Sequence, residues 1–224
     1  METSTPCTEE LTLELGGELE KSIVIIATDA CFGYPVIPQA KDLSVLVFPK
    51  AEMETICEGV TTALQKYDDY TKVGVLIVAG SNNFSMENQF VGGKVPISYL
   101  TRNWTQVSRR ISDSITVPLR RLNRFIDSKG ARLQVATVLP SPDVIQTEVP
   151  LYAELLREAL KNTNTWIRQL NSTNHQPQLL LTEQYFNMQN PARRSQFLAV
   201  YRNQNYRSLW RTVIKAQKRF ADSL

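Results

Sequence analysis

A chain of 224 residues, 42% of them apolar, is long enough for one large domain with a buried core, and one domain is the expected organisation. No run of eighteen apolar residues offers a membrane span, and the early glutamates Glu2, Glu9, Glu10 and Glu14 are the opposite of a secretory or mitochondrial leader. Three widely spaced cysteines, Cys7, Cys31 and Cys57, point to reduced thiols in the cytosol or nucleus rather than to a disulfide framework or a zinc site; a cytoplasmic protein with no metal site or cofactor is expected. The sequon matches at Asn83, Asn103 and Asn171 are accordingly taken as chance.

In chain order, residues 1–20 are polar and weakly patterned, and the domain is expected to occupy residues 21–224. Residues 21–27 form a continuous β-branched run, as in a strand buried on both faces of a parallel sheet. Residues 43–48 predict a second strand. Residues 52–67 predict a helix with Met53, Ile56, Val60, Ala63 and Leu64 on one face. Residues 73–79 predict a third buried strand, and a long loop through Gly92 and Gly93 then leads to a helix over about 104–128, which Pro118 kinks or divides. A fourth strand is expected over 133–139, a helix over 152–170, a fifth strand over 178–182 and a last helix from about Gln204. Strands alternating with helices predict a doubly wound, mostly parallel five-stranded α/β sheet with helices on both faces, of the flavodoxin-like kind.

Three blocks set the chemistry. Ala27, Thr28, Asp29, Ala30, Cys31, Phe32 and Gly33 follow the first strand, Pro49, Lys50 and Ala51 follow the second, and Gly80, Ser81, Asn82 and Asn83 follow the third. Their order resembles that of the SGNH (GDSL-type) hydrolases from Lys21 onward. The resemblance implies that Ala30 stands at the nucleophile position where the family carries serine, and that Lys50 stands where the family has an oxyanion-hole glycine. Asn82 keeps the oxyanion asparagine type. Asn205, Tyr206, Leu209 and Trp210 look like the start of the family's last helix, which puts Phe197 and Val200 at the aspartate and histidine of its Asp-x-x-His block. Acyl transfer needs a nucleophile, a base within hydrogen-bond reach and donors for the oxyanion. Alanine has no lone pair, and the single histidine, His175, lies in a polar stretch and reads as a surface loop residue. The expectation is a pseudoenzyme. Thr28 or Cys31 remains open as a displaced nucleophile, which would make the chain a hydrolase after all.

The charge is unevenly distributed. Residues 184–221 carry eight basic residues (Arg193, Arg194, Arg202, Arg207, Arg211, Lys215, Lys218 and Arg219) and no acidic one. Residues 101–132 carry a net +6, so the rest of a chain of net charge +3 carries −11. On the last helix Tyr206, Leu209, Val213 and Phe220 share one side, and Arg207, Arg211, Lys215 and Lys218 gather within about 80° on the other. Arg109, Arg110, Arg120 and Arg121 form two pairs in the mid-chain segment. Arginine forks match phosphate. The expected partner is RNA, mRNA or another single-stranded RNA; a protein scaffold meeting an acidic partner in a ribonucleoprotein granule is the alternative. Loss of catalytic residues joined to basicity is similar to the OSK domain of the germ-plasm protein Oskar, and retroelement-encoded SGNH-like domains are another relative in that pattern.

Overall fold

The computed structural model describes residues 22–31, 42–67, 70–85, 96–141, 150–181 and 206–224. Within them lie strand β1 (Ile23–Thr28), β2 (Leu43–Val47), helix α1 (Met53–Leu64), β3 (Val73–Val78), a 3-10 turn (Ser81–Phe84), α2 (Ile97–Arg102), α3 (Trp104–Ser128), β4 (Arg132–Val135), α4 (Pro150–Thr173) and α5 (Arg207–Ala221). The short α2 falls where the sequence predicts loop.

The strands form one parallel sheet in the order β2-β1-β3-β4. Both central strands are wholly buried because both faces are covered. Ile25, Ala27, Val75 and Ile77 point to one side and pack with Ile56 and Val60 of α1, Ile115 and Leu119 of α3, and Leu155 and Leu156 of α4. Val24, Ile26, Leu76 and Val78 point to the other, where Leu209, Val213 and Phe220 of α5 cover them. Gly74 permits that second contact: a Cβ there would meet the Phe220 ring at 2.7 Å and Leu224 at 2.9 Å. Full burial of the Phe220 side chain stabilises the docked helix by about 2–3 kcal/mol.

The expected fifth strand is present as a single parallel bridge, Ala136 to Leu179, in which the Thr137 N–H donates to the Leu179 carbonyl at 2.9 Å. The fourth strand likewise ends at Val135 rather than at Leu139. The reason lies on α4. Asn171 accepts from the Val135 N–H at 3.0 Å and donates to its carbonyl at 2.8 Å, and Asn164 does the same for Val138 at 2.7 and 3.0 Å. Two buried side-chain amides thus complete backbone groups that a longer ladder would otherwise use.

Pro118 neither ends nor divides α3. Having no N–H, it leaves the Ser114 carbonyl without its helical donor. The Asn83 side-chain amide lies 3.4 Å from that carbonyl and 3.2 Å from the Ser114 hydroxyl, while its oxygen accepts the Met53 N–H at 3.0 Å. One asparagine after β3 therefore joins the first turn of α1 to the middle of α3.

Candidate functional site

In this strand order the chain leaves β1 toward β2 on one side and returns to β3 on the other. The carboxyl ends of β1 and β3 thus form a topological switch point, where open α/β sheets bind ligands. Asp29 and Ala30 follow β1 there, and Gly80, Ser81, Asn82 and Asn83 follow β3. Topology therefore brings together two of the blocks picked from sequence, and the turn after β2 joins them through a hydrogen bond from the Lys50 N–H to the Asp29 carbonyl at 3.1 Å.

Asp29 organises the loop. Its carboxylate, 2% exposed, accepts the Cys31 N–H at 3.0 Å and the Gly80 N–H at 2.9 Å. Burial pushes the carboxyl up from its ordinary value, and the N–H groups of Cys31, Gly80, Asn82 and Ser81 oppose that rise. Ala30 and Lys50 both adopt left-handed backbone, with φ of 53° and 58°. The left-handed turn at Lys50 is the conformation that suits a glycine.

Two backbone donors at this end of the sheet are engaged within the loop. The Ala30 N–H points to the Thr28 hydroxyl at 3.2 Å, and the Lys50 N–H is the one held by Asp29. Thr28 is itself buried, so its hydroxyl faces the loop rather than an open cleft. Cys31 is half-buried and packs against the α5 side of the sheet. Asn82 lies half-buried with its amide nitrogen 3.4 Å from the Ala51 carbonyl.

His175 is exposed in left-handed backbone just after α4, which runs antiparallel to the strands, from Asn164 at Val138 back to Asn171 at Val135. That is the opposite end of the sheet from Ala30. Phe197 and Val200 lie outside the described residues. Among the described residues no group of three or more His, Cys, Asp or Glu is placed to hold a metal ion.

No family model and no curated protein sequence matches the chain. Among solved structures it is similar to a crystal structure of a member of the lipolytic protein G-D-S-L family from Veillonella parvula DSM 2008. The two share 8% sequence identity with a TM-score of 0.42, over 71% of this chain and 78% of that one.

The basic residues divide by side of the sheet. On α5, Arg207, Arg211, Lys215, Lys218 and Arg219 are exposed, opposite the buried Leu209, Trp210, Val213 and Phe220. None of these five cations has an ionic partner among the described residues. Arg193, Arg194 and Arg202 lie outside the described residues. On α3, Arg109 pairs with Asp113 at 3.7 Å, Arg121 with Glu54 of α1 at 2.7 Å, and Arg120 sits 5.7 Å above the Trp166 ring of α4. Arg110 and Arg124 are exposed without such partners among the described residues. Because α3 and α5 pack on opposite faces, the sheet keeps the two arginine sets apart. The sequence carries no signal for the side of the sheet each helix takes.

A groove of about 420 Å³ runs between α1 and α3, lined by Glu54, Cys57, Glu58, Arg121, Leu122 and Phe125 among others. Burial and the neighbouring glutamates push the Cys57 thiol up to about 12, so it stays protonated and unreactive at neutral pH. No helix among the described residues is long and apolar enough to cross a membrane.

Proposed function

We propose that this chain is a cytoplasmic, catalytically inactive domain of the SGNH type that binds single-stranded RNA through the exposed stripe of α5. The observation that carries the binding reading is that Arg207, Arg211, Lys215, Lys218 and Arg219 stand exposed with no ionic partner among the described residues. A merely solvated helix mixes its charges in i,i+4 pairs. A row of cations lacking them neutralises phosphates and releases counterions when a polyanion binds. Inactivity is supported by alanine at the nucleophile position and by the engagement of the Ala30 and Lys50 N–H groups inside the loop.

The test replaces Arg207, Arg211 and Lys215 by glutamine together and measures binding of generic single-stranded RNA as a function of salt. Affinity should fall, and the slope of log K against log salt should flatten by up to ~2 units, at ~0.7 per phosphate contact. Glu154, Arg157 and Glu158, substituted together on α4, serve as the matched control and should leave binding nearly unchanged. Unchanged RNA binding by the stripe variant at every salt concentration overturns the reading. Selective capture of an acidic peptide, without an RNA shift, moves it to a scaffold in a ribonucleoprotein assembly. For the inactive half, Ala30→Ser should hydrolyse short acyl esters no faster than a buffer blank. Wild-type hydrolysis abolished by Thr28→Ala or Cys31→Ala would instead reveal a displaced nucleophile.

A further inference from the structure

We infer that the domain holds two separate RNA sites, one on each side of its sheet, so that a single molecule bridges two single-stranded segments; this rests on the RNA-binding reading above. The first site is the α5 stripe. The second is the solvent side of α3, where Arg109, Arg110, Arg120, Arg121 and Arg124 are all exposed and fall within about 120° of arc on an ideal helix.

Three features make the α3 side fit for a phosphate chain. Arg110 and Arg124 have no partner among the described residues. Arg120 lies over the Trp166 ring, a cation–π arrangement that fixes the guanidinium plane while its edge stays exposed. The pairs Arg109–Asp113 and Arg121–Glu54 join exposed side chains, and such pairs contribute little, so phosphate can exchange for either carboxylate. Acidic groups border this helix too: Asp113 and Asp127 on α3 itself, Glu54 and Glu58 on α1, and Glu158 on α4, which accepts the Trp104 N–H of α3. They make it the weaker of the two sites, with the shallower salt dependence.

The separation follows from the packing. The apolar side of α3 belongs to the cluster of Ile25, Val75 and Ile77, and that of α5 to the cluster of Val24, Ile26 and Leu76. Since these strand residues alternate across one sheet, the solvent sides of the two helices face away from each other. A short strand seated on one does not reach the other around the domain.

The experiment titrates the whole chain with a single-stranded RNA of ~10 nucleotides, within the range that one compact site covers. It measures stoichiometry by calorimetry and by native mass. Wild type should bind two oligonucleotides per chain and bring donor- and acceptor-labelled oligonucleotides together in one complex. The variant R207Q/R211Q/K215Q should bind one, R109Q/R110Q/R124Q should bind one, and neither should join the two labels. The site left in each variant reports that it is folded. One oligonucleotide per wild-type chain, unaffected by the α3 changes, overturns the inference and leaves the α5 reading standing. One oligonucleotide weakened by both variants means a shared surface and also overturns it. Failure of wild type to bind any RNA removes both readings.

Discussion

Lys50 holds left-handed backbone with φ of 58°, a conformation that costs an L-residue about 1–2 kcal/mol. Glycine carries no such cost but gives up about 0.4–1 kcal/mol to the entropy of the unfolded chain. Lys50→Gly should therefore raise stability by about 0.5–1 kcal/mol, seen as a higher urea midpoint at unchanged slope. A lower midpoint would show that the lysine side chain itself holds the turn. Nearby, Asp29 has its carboxyl pushed up by burial against four amide donors. The folded state then binds more protons than the unfolded state just above the ordinary carboxyl value of 3.8, so stability should fall as pH rises through that window. Compared with Asp29→Asn, the wild type should lose ground between pH 3.8 and the raised folded value. If wild type instead gains on the variant over that range, the Cys31 and Gly80 N–H bonds outweigh burial. The alanine at position 30 was legible from sequence, because the order of blocks around it needs no coordinates. The engagement of the Ala30 and Lys50 N–H groups was not, because backbone direction in a turn leaves no mark in residue type.

At the scale of elements, β1 and β3 were readable as continuous β-branched runs, and the helices expected over 104–128, 152–170 and from about Gln204 are α3, α4 and α5 to within a few residues. The fifth strand expected over 178–182 is one bridge among the described residues, since an apolar run says nothing about what already occupies the edge it would join. On that edge Asn171 holds the Val135 backbone, and Asn164, two turns earlier on the buried side of α4, holds Val138 beyond the strand; there a polar residue reads only as a break in the apolar stripe. Each satisfies both backbone groups of one residue, so truncation strands a buried donor and a buried acceptor. Asn171→Ala should cost about 2–5 kcal/mol, from about 1–3 kcal/mol per unsatisfied group with partial relief by water. The urea midpoint checks it against Thr165→Ala, on the exposed side of the same helix, which should move stability by less than about 0.5 kcal/mol. Equal losses at both positions would mean that Asn171 acts through helix propensity alone.

For the whole molecule, one sheet separates two cationic surfaces, and the stripe on α5 works against the fold that displays it. Arg207, Arg211, Lys215 and Arg219 are successive i,i+4 neighbours of like sign, and each such pair destabilises a helix by about 0.2–0.5 kcal/mol. Arg207 is also the first residue of α5, where a cation opposes the helix dipole by about 0.3–1 kcal/mol. Replacing Arg207, Arg211 and Lys215 by glutamine relieves three pairs and the dipole conflict together. The variant should melt about 2–10 °C above wild type at low salt, from about 1–2.5 kcal/mol at roughly 2–4 °C per kcal/mol for a chain of this size. Near 1 M salt, where the screening length is about 3 Å, the difference should shrink to within error. A polyanion should act in the other direction, raising the melting temperature of wild type by mass action and leaving the variant less affected. Thermal melts of both proteins at low salt, at high salt and with single-stranded RNA give the three comparisons. A variant that melts below wild type at low salt would mean that the stripe already has an anionic partner within the chain. The arginines of α5 would then be a docking face for the chain's own carboxylates rather than for phosphate.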